Sequence, residues 1–124
     1  MAKNRWAVLA GAFVLLLVSR WAFAHHSLSI YGGQITLTGT ASEFVFSNPH
    51  AVIKFEVRDA SGNVETWTAE TSGPRRLATA GWDQNTVKPG DQITATGRPA
   101  KDGSKKMFME RIVVNGKEYG RGRR

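Results

Sequence analysis

The chain has 124 residues, with 17 Lys and Arg against 10 Asp and Glu, a formal charge of +7, and no cysteine. That length supports one domain around one core, and the lack of cysteine excludes a disulfide framework. The charge does not mark a nucleic-acid binder. Lys3, Arg5 and Arg20 belong to an N-terminal leader and Arg121, Arg123 and Arg124 to the last residues, so the body between them is nearly neutral and has no basic face.

Residues 1–24 read as a signal peptide. Lys3 and Arg5 form a positive start, residues 6–18 an apolar run, and Ala22-Phe23-Ala24 a small-x-small cleavage site. The run is shorter than the about 20 residues a bilayer span needs, and Arg20 interrupts it. The expectation is export to the periplasm or beyond, cleavage between Ala24 and His25, and no stable membrane span afterwards. What remains is a barrel domain over residues 25–119 and a basic tail over residues 120–124, read as a solvated end. Its stability has to come from packing, chiefly of Trp67, Trp82, Phe44, Phe46, Phe55 and Phe108.

Residues 35–41 alternate in the period of a half-buried strand, with Ile35, Leu37, Gly39 and Ala41 on one face. Phe44 and Phe46 are on the opposite parity, so this strand must switch faces by a bulge or bend, for which Gly39 is a suitable hinge. Asn48-Pro49 is a turn signal. Beyond it Ala51, Ile53, Phe55 and Val57 face one way and Lys54, Glu56 and Arg58 the other, making a second strand.

A polar turn at residues 59–63 leads to a third strand over 64–70, centred on Trp67. Ser72 and Gly73 as caps, Pro74 at the first helical position and Gly81 as a stop frame a short helix over 75–80. Lys88-Pro89-Gly90-Asp91 fits a type II turn before a fourth strand over 92–98. A fifth strand covers 107–114. Apolar residues on both its faces leave its register open, and Asn115-Gly116 then turns it into a short return through Tyr119. Three strands, a short helix and two strands, with a bent first strand, is the order of a small OB-like five-stranded Greek-key barrel, a mainly β fold.

The motifs His25-His26-Ser27, Leu37-Thr38-Gly39-Thr40, Glu43-Phe44, Asn48-Pro49-His50, Gly81-Trp82, Lys88-Pro89-Gly90-Asp91 and Gly97-Arg98-Pro99 with Asp102-Gly103 span the whole mature chain. In this order they resemble the small exported bacterial proteins grouped as the domain of unknown function DUF6152. The resemblance implies an exported β-barrel and supplies no activity, cofactor or catalytic residue.

Two binding chemistries can be drawn from the residues. The first is a ligand surface on the barrel involving Asn48, His50, Arg75, Arg76 and Trp82. Trp82 is the aromatic anchor if exposed, and a plug for the barrel end if buried. Its target would be a small ligand or an envelope protein, with nucleic acid not expected. The second is copper or another metal. Cleavage would leave His25 with a free α-amine beside its imidazole, which His26 or His50 could complete for Cu(II), while Met107 and Met109 offer soft sulfur to Cu(I). In ingredients this is similar to small periplasmic copper carriers built as OB-like barrels. Those take their ligands from earlier strands, and here the first strand holds the N-terminal histidines and His50 at opposite ends. No nucleophile, base and orienting group come together, so the function expected is binding and not catalysis.

Overall fold

The computed structural model describes residues 26–28 and 33–123. The leader, its cleavage site, His25 and Arg124 lie outside the described residues. The elements are β1 (His26–Leu28), β2 (Ile35–Val45), β3 (Val52–Arg58), β4 (Val64–Glu70), α1 (Pro74–Ala78), β5 (Gln92–Pro99), β6 (Lys106–Val114) and β7 (Lys117–Gly120).

Strands β2 to β6 close into a barrel. Antiparallel pairs join β2 to β3, β3 to β4 and β5 to β6, β4 runs parallel to β6 over Thr68–Glu70, and β2 closes onto β5 from Ile35↔Gly97 to Thr40↔Gln92. One parallel pair among antiparallel ones, with a helix between the third and fourth barrel strands, is the OB-type arrangement expected from the sequence. β1, which the sequence did not suggest, adds to the β2 edge through His26↔Leu37, and β7 adds to β6.

The long first barrel strand does change face, but three residues beyond the expected hinge. The β2–β3 register shifts between Ala41 and Glu43, leaving Ser42 as the extra residue, and its hydroxyl donates to Lys54 O at 3.2 Å. Inward Leu37 and Ala41 thus give way to Phe44, which packs on the core from the other parity. Gly39 serves a different end. A Cβ there would overlap the Glu56 carbonyl oxygen, so glycine is what lets the strands cross at the bend. Gly97 does the same opposite Phe108, beside a second register shift that leaves Glu110 unmatched.

That second shift settles β6. Met107 and Met109 point inward before it, Ile112 and Val114 after it, and all four are buried. Phe108 therefore faces outward and is 39% exposed, a correction to its expected place in the core. The interior holds Ile53, Phe55, Val57, Leu77, Ile93 and Ile112, with Trp67 and Trp82 also buried.

The two predicted turns keep their geometry. Gly90 has φ +92° with Asp91 N donating to Lys88 O, and Asn115 and Gly116 have φ of 47° and 87° at the β6–β7 hairpin. They are also tied together. Asp91 Oδ1 accepts from Asn115 Nδ2 at 3.0 Å, and Asn115 Oδ1 accepts from Gln92 N at 3.1 Å.

Candidate functional site

Three clefts open on the described surface, and charge separates them. One of ≈290 Å³ lies where β2 and β3 cross and includes Thr38, Thr40, Glu56 and Arg58, charges of both signs. A second, of ≈380 Å³, is bordered by Glu70, Arg98, Lys106 and Phe108 between β4 and β6. Two of its charged residues have partners: Glu70 lies against His50, and Arg98 Nε is 3.4 Å from Glu110 Oε1. The third, of ≈420 Å³, lies against α1 and is lined by Asn48, Gly73, Arg75, Arg76, Thr79 and Arg123. No carboxylate borders it, and among the described residues none forms an ion pair with its three arginines.

The local sequence explains how this cleft forms. Pro74 opens α1, Gly73 caps it with φ −71° and no side-chain cap, and only Leu77 of the helix is buried, so Arg75 and Arg76 remain on its outer side. Gly73 also brings the β2–β3 corner onto the helix start. A Cβ on it would come within 2.6 Å of Pro49 O and 3.5 Å of Asn48 Oδ1, a contact that only a glycine admits without a shift. The segment entering and leaving this corner is fixed by Ala51 N donating to Ser72 O at 3.1 Å and Thr71 N to Ala51 O at 3.0 Å. Asn48 is thereby held opposite the arginines.

The remaining wall comes from the end of the chain. Trp82 Nε1 donates to Gly120 O at 2.8 Å, Arg76 Nε to Gly122 O at 3.2 Å, and Arg123 N to Thr79 Oγ1 at 2.9 Å. Residues 120–123 are therefore laid along α1, and the expectation of a solvated tail is corrected. Arg123 is the cleft residue not expected from the sequence. Only the fold gives Gly122 its meaning: at φ +79° it passes where a Cβ would overlap the Arg76 carbonyl oxygen.

Trp82 is 4% exposed. Its ring lies 6.0 Å from Phe44 and 5.5 Å from Tyr119, closing the barrel end as an aromatic plug. Of the two alternatives for Trp82 the buried plug is the one seen, so its ring offers no face for stacking a ligand and it does not join the ligand surface. Of the five residues expected at the ligand surface, Asn48, Arg75 and Arg76 converge. His50 is exposed but turned to the Glu70 carboxylate. Among the described residues the metal candidates do not converge: Met107 and Met109 are 2% and 1% exposed in the core, His26 begins β1 opposite Leu37, and His50 follows the far end of β2.

Arginine is the side chain suited to such a place. Its guanidinium stays charged at all physiological pH and presents a planar fork of donors to carboxylate or phosphate oxygens. Three of them sharing a cleft repel one another; unit charges about 4 Å apart interact by about 1 kcal/mol in water and about 4 kcal/mol near a protein surface. An anion entering the cleft relieves that repulsion as it forms its own hydrogen bonds.

Residues 12–109 match the profile of the Family of unknown function (DUF6152). The chain belongs to that family. The DUF6152 match covers β1 to β5, α1 and the start of β6, and so includes Asn48, Arg75 and Arg76; it ends at Met109, before β7 and the tail that docks on α1. No curated protein matches the chain.

Proposed function

We propose that this DUF6152 protein is an exported, periplasmic binding protein that takes a small anionic ligand in the cleft over α1. The observation that carries the reading is the meeting of Arg75, Arg76 and Arg123 in one cleft of ≈420 Å³ that no carboxylate of the described residues lines. Asn48 adds an amide and Thr79 a hydroxyl, groups that orient an oxyanion without adding negative charge. Guanidinium groups bind and polarise but do not exchange protons near neutral pH, so the cleft is furnished for binding and not for acid–base catalysis. Export follows from the leader, with the mature chain beginning at His25.

Two measurements test this. Calorimetric titration of the mature protein with acetate, succinate, sulfate and phosphate at constant ionic strength should show binding that the R75A/R76A variant loses by at least about tenfold, as expected when charge-assisted hydrogen bonds are removed. Equal affinity in the variant would sink the reading. For export, mass spectrometry of the protein recovered from a periplasmic fraction should give a chain starting at His25; a full-length mass there would mean the leader is retained.

A further inference from the structure

The way the tail reaches the cleft says more about the ligand. The contacts that hold residues 120–123 against α1 and Trp82 are hydrogen bonds without an ion pair: backbone carbonyls accept from Trp82 and Arg76, and a backbone N–H donates to Thr79. Their effect is to bring the positive side chain of Arg123 beside Arg75 and Arg76. Docking of the tail is thus favoured by hydrogen bonds and opposed by charge. An anion in the cleft reverses the second term, because it attracts all three guanidiniums at once.

We infer that the docked C-terminal tail is a working wall of the anion site, and that the ligand is a phosphate-type dianion, free or as the terminal group of a larger molecule. This rests on the reading of the cleft as an anion site. A monocarboxylate would offset one of three charges and present one planar face. A tetrahedral dianion offsets two and presents three or four oxygens to donors arriving from α1, from the β2–β3 corner and from the tail. Arg76 donates to the tail through Nε, at 3.2 Å from Gly122 O, and a guanidinium has two further Nη donor groups besides.

Binding and docking must then be linked. A ligand that touches Arg123 together with Arg75 or Arg76 favours the docked tail, so it protects the tail, and loss of the tail weakens the ligand by the same factor. Gly122 gives a way to displace the tail without touching any charge, since a side chain there meets the Arg76 carbonyl and the left-handed backbone at once.

The experiment uses the whole mature chain and three probes: inorganic phosphate, glycerol phosphate, and vesicles of neutral lipid with and without phosphatidic acid. Chloride holds the ionic strength constant. Wild type should bind a dianionic probe, and saturating probe should slow proteolytic removal of residues 121–124. R123A and G122A should each bind about tenfold more weakly, with G122A doing so at unchanged net charge. Binding to both soluble probes assigns a free dianion, and binding to phosphatidic-acid vesicles alone assigns a membrane headgroup; either supports the inference. If R75A/R76A loses binding while R123A and G122A match wild type, the tail has no part in the site and the inference falls, though the cleft stands. If R75A/R76A binds as wild type does, or wild type binds no probe, the anion site itself is refuted.

Discussion

The cleft over α1 and the cleft between β4 and β6 are similar in size, ≈420 and ≈380 Å³, and both contain arginine. They differ in how that charge is met. Around the β4–β6 cleft Glu70 has His50 and Arg98 has Glu110, which also accepts from Gln34 Nε2 at 2.6 Å. Around α1 the guanidiniums have backbone carbonyls, an amide and a hydroxyl for company, and no acid among the described residues. Where folding alone governs a surface, opposite charges are free to pair. A cluster of one sign that the chain goes out of its way to assemble, by threading Gly122 past a helix carbonyl, points to a partner that brings the other sign.

The sharpest break in this comparison is at one aromatic residue on each side, Trp82 holding the tail that walls the α1 cleft and Phe108 lining the β4–β6 cleft. Trp82 is buried, touches Phe44 and Tyr119, and holds Gly120 through its indole N–H, so Trp82→Ala should cost about 3–5 kcal/mol and undock the tail. Phe108, at 39% exposure with Arg121 over its ring at 5.3 Å, stands outside the barrel, and Phe108→Ala should cost no more than about 1 kcal/mol. Urea denaturation midpoints check both. Comparable losses would mean that the two aromatic residues are equally structural.

A smaller effect is expected from a place where one charge is fully engaged. Asp91 Oδ1 accepts from Asn115 and Oδ2 from Lys88 N at 2.8 Å, and these bonds, the Asn115 one foremost, hold its carboxyl below the ordinary carboxylate range. A depressed value means the ionised form favours the fold. That contribution is complete above about pH 4, the unfolded carboxylate value, and is lost as pH falls through the lowered folded one. Asp91→Asn should therefore cost about 0.5–1 kcal/mol at pH 7, water's access keeping it small, and the gap from wild type should close toward pH 2. A gap that stays constant with pH would show that the bonds and not the charge matter.

Much of the barrel was legible because its signals are local. The alternation in residues 51–58, Pro74 before a short apolar step, Gly90 in its turn and Asn115-Gly116 at the hairpin each fix a conformation within a few residues. The parity change between Ala41 and Phe44 even announced the bend, but it could not say that Ser42 is the bulged residue and that Gly39 serves close strand approach. The register of β6 was hidden for a similar reason, since Phe108 is as apolar as the methionines beside it and only the pairing of Gly97 with Met109 turns it outward. The site was legible in half. Arg75, Arg76 and Asn48 could be named from the helix and the corner, whereas Arg123 reaches them from the far end of the sequence, through the bonds of Gly120 to Trp82, Gly122 to Arg76 and Arg123 to Thr79. Nothing local in a run of glycine and arginine distinguishes a docked end from a solvated one.

The smallest predicted effect addresses the comparison most directly, because it is a difference in sign. Arg75 is exposed, and the charge of its guanidinium is its chief contribution to the α1 cleft. In the ligand-free protein at low salt, Arg75→Ala should raise stability by a few tenths of a kcal/mol, about what exposed charges contribute. Glu110→Gln, beside the β4–β6 cleft, should lower it by a similar amount, since it removes the partner of Arg98. At about 1 M salt, where screening extends only about 3 Å, both differences should vanish. The pair of variants is best compared by thermal melting across a salt series. If Arg75→Ala destabilises at low salt, the guanidinium is already compensated in the free protein, and the α1 cleft carries no unmet charge for a ligand to satisfy.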